Sequence, residues 1–424
     1  MKNDFLYCLF SLLNENYNYA VLRNYEDLPE KCFSRDIDLL ILRRDLRKLK
    51  KQLPEFAGQC GARIFYTHED NQFLTVVLMD SDYRFFQLDF QHNFAWMGID
   101  LLDEKTVLSK RVFNGKVYHL PPDFTFLPKY LYSRILGAKY PEKYAAVRRT
   151  ALEYNRTGIE NILKKLAWGQ GLDYWDKAGK WNLRFRCFTS QLICRPFRTL
   201  GRMSEFLLRY ALDLFCRRGL MISFSGPDGC GKTTVIELLR ERLTFNPPKL
   251  YHFRPTLLPN LGEAAHKAGI AKSVDRNYDQ PHRAKKKGKL NSLIRLCYYL
   301  TDYILGYQVK ILPERQRKHI IFFDRYFTDV IVDSERSSIF LNSKFIAALR
   351  HLVPKCQYNF IFKVDPETIR ARKQELEIED MERIYSRLEY LCARDKRYHW
   401  IDNNGTPEEA VKQILDVLTG KHGK

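Results

Sequence analysis

Apolar positions along the chain change rhythm near its midpoint. In the first half, short runs rich in β-branched and aromatic residues, at 19–22, 38–42, 63–66, 74–79 and 84–90, stand between turn residues and predict strands. Helical spacing interrupts them at 4–14 and 46–53 and takes over from 127 to about 167. This mixture predicts an α+β domain over residues 1–167. From residue 219 strands and helices alternate: a strand at 221–225, a helix at 233–243, then strands at 250–253, 320–323 and 360–364. Alternation of this kind predicts an α/β domain over 219–424, a parallel sheet with helices on both faces.

Between them, residues 168–218 interleave Trp168, Trp175, Trp181, Phe185, Phe188, Phe197 and Phe206 with Arg184, Arg186, Arg195, Arg198, Arg202 and Arg209. The pattern reads as a basic, aromatic helical connector docked on both domains. An alternative is an amphipathic surface that lies on an anionic membrane, rings inserted and arginines on headgroups. A length of 424 residues suits two cores, and 45% hydrophobic with 28% charged residues excludes disorder. Seventy Lys and Arg against fifty Asp and Glu leave +20, which attracts anions without choosing among nucleotide, nucleic acid, glycan and membrane. Nucleic acid, suggested by net charge alone, ranks last, and oligomeric state is left open. The ten cysteines show no C-x-x-C pair and read as buried free thiols of a reducing cytosol. The apolar stretch after Met1 is too short and polar for a signal peptide or membrane span, so a cytoplasmic protein, peripheral to the membrane at most, is expected.

The candidate chemistry begins where the strand at 221–225 runs into Gly226-Pro227-Asp228-Gly229-Cys230-Gly231-Lys232-Thr233, a match to G-x-x-x-x-G-K-[ST] with a strand before and a helix after. Glycines let the backbone curl so that its N–H groups face phosphate oxygens, and the helix N-terminus adds a favourable dipole. Lys232 would bridge the β- and γ-phosphates of ATP, and Thr233 would offer its hydroxyl to Mg²⁺. The strand at 320–323 ends in Asp324, the carboxylate needed beside such a loop to hold Mg²⁺ through water or act as base. Arg325 and Tyr326 would face the acceptor.

These residues resemble the thymidylate kinase family over roughly 219–424: the loop from Gly226 to Thr234 is similar to its G-x-D-G-x-G-K-T-T, and Asp324-Arg325-Tyr326 to its D-R-Y element. The resemblance implies that Arg325 grips an anionic group on the acceptor, that Asp228 meets an acceptor sugar hydroxyl, and that Arg370 and Arg372 close over the phosphates as lid residues. It also implies adenine contacts from Asp402-Asn403-Asn404-Gly405. The chain departs from the family's R-E-P-G-G motif, reading His252-Phe253-Arg254-Pro255-Thr256, which keeps an arginine and a proline, with Arg254 for the acceptor, and loses the rest.

In the first half, Asp36 and Asp38 lie one residue apart at a strand's start and project to one side of it. With Asp89 from a neighbouring strand they make a candidate second Mg²⁺ site. The arrangement resembles the D-x-D strand and later aspartate of the nucleotidyltransferase superfamily, although the upstream Gly-Ser pair is replaced by Val21-Leu22-Arg23-Asn24. The expectation is an ATP- and Mg²⁺-dependent kinase whose acceptor is a nucleoside monophosphate or, slightly favoured, a sugar or glycan hydroxyl in surface polysaccharide synthesis, with Asp324 or Asp228 as base. A bifunctional nucleotidyltransferase-kinase and an ATP-switched regulatory protein are the alternatives.

Overall fold

The computed structural model describes residues 2–32, 36–215, 219–259, 288–365, 367–369 and 378–420. The chain divides into two compact units, Met1–Leu212 and Asp213–Lys424.

The first unit is built on a seven-stranded mixed sheet. Its strands are β1 (Tyr19–Val21), β2 (Asp36–Ile41), β3 (Arg63–Glu69), β4 (Phe73–Met79) and β5 (Phe85–Gln91), followed, after a separate hairpin of β6 (Phe94–Trp96) and β7 (Ile99–Leu102), by β8 (Val112–Phe113) and β9 (Tyr118–His119). The order is β3-β4-β5-β2-β1-β9-β8, with β2 parallel to β5 and β1 parallel to β9. Strand alternation divides the core. Ile37, Leu39 and Ile41 join one cluster with residues of the helices Lys2–Asn16 and Arg43–Gln59. Leu40 points the other way, into a cluster with the helices Pro122–Leu136 and Ala145–Leu166.

The stretch read as a connector belongs to this second cluster. Trp175, Leu183 and Cys187 are fully buried in it, so the unit runs to Leu212 and not to residue 167. The boundary moved because Trp175, with Tyr174 and Phe188 packed against the same cluster, covers apolar surface that the helices before it leave open, while Trp168, Trp181 and Phe185 stay exposed. In the helix Pro196–Phe215 the arginines are held by ion pairs: Arg198 pairs with Asp100 at 2.8 Å, Arg202 approaches the same carboxylate at 3.5 Å, and Arg209 pairs with Glu205 at 3.2 Å. Phe197, Leu200, Leu207 and Leu208 are exposed. Among the described residues no helix is long and apolar enough to cross a membrane. The free cysteines are not uniformly buried either: Cys187, Cys230 and Cys356 are, whereas Cys8, Cys194 and Cys297 are exposed.

The second unit carries a five-stranded parallel sheet of β10 (Met221–Ser225), β11 (Lys249–His252), β12 (Ile321–Asp324), β13 (Tyr358–Lys363) and β14 (Tyr398–Asp402) in the order β11-β12-β10-β13-β14. Every residue of β10 is buried, as its apolar run predicts for a central parallel strand. The last helix, Pro407–Leu418, begins with Thr406 accepting from the Glu409 amide and Glu409 reaching back to the Thr406 amide, a reciprocal cap. Because β10 is followed by a helix on one side of the sheet and flanked by β12 and β13, the chain reverses winding at its C-terminal end. In a parallel sheet that crevice is where ligands bind.

The placement of Trp175 is directly testable. Trp175→Ala should destabilise the first unit by about 3–5 kcal/mol, read as a lower urea midpoint for its transition, because a fully buried indole leaves a cavity that the helices around it cannot close.

Candidate active site

The loop after β10 takes its shape from three glycines with positive φ: Gly226 (+151°), Gly229 (+81°) and Gly231 (+80°). At Gly226 a Cβ would stand 3.1 Å from both Cys230 Sγ and the Phe362 carbonyl, so the close approach of the loop to β13 requires glycine. Lys232 opens the helix Lys232–Arg242 and is buried; its Nζ donates to the Gly226 and Pro227 carbonyls at 2.9 and 2.8 Å and lies 3.4 Å from Cys230 Sγ. Thr233 and Thr234 follow in the first turn, exposed. Asn403, buried at the end of β14, donates Nδ2 to the Cys230 carbonyl at 2.7 Å and braces the loop from behind. It is therefore a positioning residue, whereas Asp402, Asn404 and Gly405 around it are exposed.

Strand β12 delivers the second group. In register, Phe224 lies opposite Asp324, so the carboxylate stands at the C-terminal end of the strand beside the loop's own strand. His252, at the end of β11, approaches Asp324 with Nδ1 at 3.3 Å. Arg325 then adopts a left-handed backbone (φ +69°), held by its amide donating to the Phe224 carbonyl at 2.9 Å. That turn sends the guanidinium back over the loop. Its Nη2 donates to Asp228 Oδ1 at 2.5 Å and its Nη1 to Asp329 Oδ1 at 2.9 Å. Asp329 is fixed by Ser225 Oγ at 2.6 Å and by the Tyr326 amide at 3.2 Å, and Arg336 donates to the other oxygen of Asp228.

Burial alone would push the Asp228 carboxyl up, but Arg325, Arg336 and Lys232 outweigh it and hold it at about 2. Burial likewise opposes the charge of Arg325, yet Asp329, Asp228 and Asp324 raise its pKa well above the ordinary value. Asp228 thus stays ionised as a counter-charge, and the role of base assigned to it from sequence does not suit it: a carboxylate whose acid form has so low a pKa is a poor proton acceptor near neutrality.

Two other expectations change. Tyr326 does not face a substrate: its ring packs in the core against Phe323 and Tyr303, and its hydroxyl donates to the Pro354 carbonyl at 2.7 Å. Arg254 is buried with Nη1 on Asp302 at 2.8 Å and on the Leu258 carbonyl at 3.1 Å, so its guanidinium organises the segment after β11. A buried arginine needs its carboxylate, and Asp302 satisfies that need. Arg370 and Arg372 lie outside the described residues. Sequence reasoning missed Arg336, Asp329 and Ser225, gave His252 no role, and named Asn403 as an adenine contact and not as the brace of the loop. Asp329 had a signal, its spacing of four from Arg325 at a helix start; Arg336 reaches Asp228 from 108 positions away and had none.

The residues fit a polyphosphate and its metal. The glycine loop with Lys232 suits the phosphates, and Thr233 with Asp324 are the groups that would hold Mg²⁺. In the first unit the fold also brings Asp36, Asp38 and Asp89 together, with carboxylate oxygens within 4.8 Å of one another. There Arg23 donates to Asp38 and lies 3.5 Å from Asp36, while Thr75 and Gln87 hold Asp89 at 2.6 and 2.7 Å. Burial raises the pKa of Asp38 and of Asp89, with the neighbouring aspartates adding to it. Arg23 supplies one positive charge to two of the three carboxylates, so the triad keeps net negative charge and remains a group that could hold a metal ion.

A glycine-rich loop at the switch point of a parallel sheet, with a carboxylate on the adjacent strand, defines the second unit as a P-loop nucleotide-binding fold. No protein-family model matches the chain. The chain is 23% identical over 203 residues to a probable thymidylate kinase from Pyrobaculum aerophilum, a stretch that is 46% of this chain and 95% of that protein. Among solved structures, thymidylate kinase from Ehrlichia chaffeensis aligns at 20% identity over 47% of this chain and 98% of its own, with a TM-score of 0.33. Thymidylate kinase from Candida albicans aligns at 18% identity over 48% and 92%, with a TM-score of 0.37. The thymidylate kinase-like similarity thus spans about half of the chain. None of these three is a nucleotidyltransferase, so that resemblance stands on the residues of the first unit alone.

The Asp228 clamp has a pH signature. A carboxyl whose pKa falls on folding contributes stability that is complete above its ordinary value and fades as pH drops toward about 2. Arg325→Met, which strips Asp228 and Asp329 of a shared partner, should cost about 3–5 kcal/mol near neutral pH. That cost should shrink as the pH is lowered below about 4, where the orphaned carboxyls can take up protons. Denaturant unfolding of variant and wild type across this range checks both halves.

Proposed function

We propose that this protein is a P-loop kinase that transfers the γ-phosphoryl group of Mg²⁺-ATP to a nucleoside monophosphate. The observation that carries the reading is the set of cations gathered at one cleft: Lys232 from the loop, with Arg325 and Arg336 sharing Asp228 and with Asp329 fixing Arg325. Guanidinium forks match phosphate oxygens, and an acceptor that brings its own anionic oxygen needs orientation and neutralisation more than proton removal. A sugar hydroxyl makes the opposite demand, for a base poised near the working pH; Asp228 at about 2 does not meet it, and in this reading Asp324 is committed to Mg²⁺. The similarity to a probable thymidylate kinase supports a nucleotide acceptor as well, and dTMP is the first candidate to test.

In this reading the loop amides and Lys232 hold and orient the phosphates of ATP. Mg²⁺, when held by Thr233 and Asp324, would neutralise phosphate charge. Arg325 and Arg336 exchange part of their hold on Asp228 for the acceptor's phosphate, and Asp228 turns toward the acceptor's sugar. Asn403 keeps the loop in place for all of this.

A Mg²⁺-ATP turnover assay against dTMP, other nucleoside monophosphates and simple sugars tests the reading. Turnover should be confined to monophosphates and should fall by at least about a hundredfold in Lys232→Ala. Arg325→Ala should reduce turnover with every monophosphate acceptor by a similar factor. Phosphorylation of a sugar with all monophosphates silent would overturn the acceptor class. ATP binding without turnover on any acceptor would point instead to an ATP-driven switch.

A further inference from the structure

The first unit contains a second place where sequence and fold converge, and the kinase reading makes no use of it. Strands β2 and β5 run parallel and end together, with Leu40 opposite Gln91. Immediately beyond β2 the 17-residue helix Arg43–Gln59 begins; its N-cap, Leu42, offers no side-chain acceptor to the first-turn amides. The Asp45 and Leu46 amides turn back to the Leu42 carbonyl. The amides of Arg43 and Arg44 make no hydrogen bond among the described residues. A cavity of about 780 Å³ opens at this point, within the range of small-molecule sites, and Arg43, Arg44, His92, Asn93 and Lys105 line it.

Two features separate this cavity from an ordinary surface hollow. His92 contributes to its wall, is 4% exposed, and beyond a loose approach to the Asp70 backbone neither ring nitrogen has a partner of hydrogen-bond geometry among the described residues; the Oδ1 of its neighbour Asn93 is buried without one as well. Buried polar atoms of this kind are rare, because each forfeits the hydrogen bonds it had in water. The charges have a pattern too. Four acidic groups also stand on the wall: Glu205 is matched to Arg43 at 2.7 Å, Asp103 faces Arg198 at 3.7 Å, Glu104 accepts from the Phe94 amide at 3.2 Å, and Asp45 lies in the first turn of the helix Arg43–Gln59. Arg44 and Lys105, both exposed, have no ion-pair partner among the described residues. Burial and Arg43 lower the pKa of His92, against the opposing pull of Glu69 and Asp70, so the ring is neutral and offers one donor and one acceptor.

We propose that this cavity binds the phosphate group of a small phosphorylated molecule, held by the helix-start amides of Arg43 and Arg44, the Arg44 and Lys105 side chains and the His92 ring. Helix starts combine free N–H groups with a positive dipole and are suited to phosphate. The volume beyond what a phosphate fills leaves room for an organic body against Asn93 and Leu42. The site is distinct from the Asp36, Asp38 and Asp89 triad: the cavity begins four residues past Asp38, roughly 13 Å along the strand.

The test uses the full chain with the P-loop saturated with ADP. Histidine-labelled protein is titrated with inorganic phosphate and, separately, with ribose 5-phosphate, following the His92 ring resonance, which is assigned by its loss in His92→Gln. A saturable His92 shift is expected in wild type and in Lys232→Ala, with tighter binding of the sugar phosphate if the organic body is also held and equal binding if the phosphate alone is recognised. Arg44→Glu and Lys105→Glu, both at exposed positions where folding is not at stake, should each weaken binding by about tenfold or more. The proposal fails if His92 does not shift at millimolar probe, if Arg44→Glu and Lys105→Glu leave the affinity unchanged, or if Lys232→Ala removes binding and thereby assigns it to the P-loop. Because no arm depends on turnover, its failure is separable from failure of the kinase reading.

Discussion

One guanidinium organises the second unit. Arg325 leaves β12 with a left-handed backbone that its amide bond to Phe224 stabilises, and so it faces back over the loop that starts from the neighbouring strand. Asp228 on that loop and Asp329 on the following helix both close on it, and Ser225 and Arg336 complete the circuit. Each member satisfies a buried charge that would be costly alone, so loop, strand end and helix start are tied into one arrangement. The position of Lys232 is tied to that arrangement, since the loop that carries it is braced by Arg325 in front and by Asn403 behind.

The two units use the same device for different ends. In the first, Arg23 meets Asp36 and Asp38 within an acidic triad that the sheet forces together. In the second, Arg325 and Arg336 meet Asp228, with Asp329 also on Arg325, at a glycine loop that carries Lys232. One arginine among three carboxylates leaves negative charge for a cation, whereas three cations around Asp228 and Asp329 leave positive charge for an anion. That balance separates the two.

Much of the second unit was legible in the sequence because its signals are local. A strand, a glycine loop and a helix in succession specify backbone conformations residue by residue, so Gly226 through Thr233 and the end of β12 at Asp324 could be read directly. The aspartates of the first unit were legible for a similar reason, since alternation along β2 puts Asp36 and Asp38 on one side. Tyr326 and Arg254 were misread because an aromatic or arginine beside a motif carries no local mark of burial. Their partners, Pro354 and Asp302, are distant in sequence. The 168–218 stretch was read as a connector, although most of it folds with the first unit, for a related reason: the apolar surface that Trp175 covers is created by other helices.

By itself, then, the sequence determined the element types, the phosphate loop with its lysine, the carboxylate at the end of β12 and the alternation that aligns the acidic strand. These follow from hydrogen bonding and steric rules that act over a few residues. Only the tertiary structure decided which charges are already paired: that Arg336 shares Asp228, that Arg23 meets Asp36 and Asp38, that Arg254 is committed to Asp302, and that the His92 ring is buried at the wall of a cavity. Pairing of buried charges depends on distance in space and on exclusion of water, and neither quantity exists until the chain has folded.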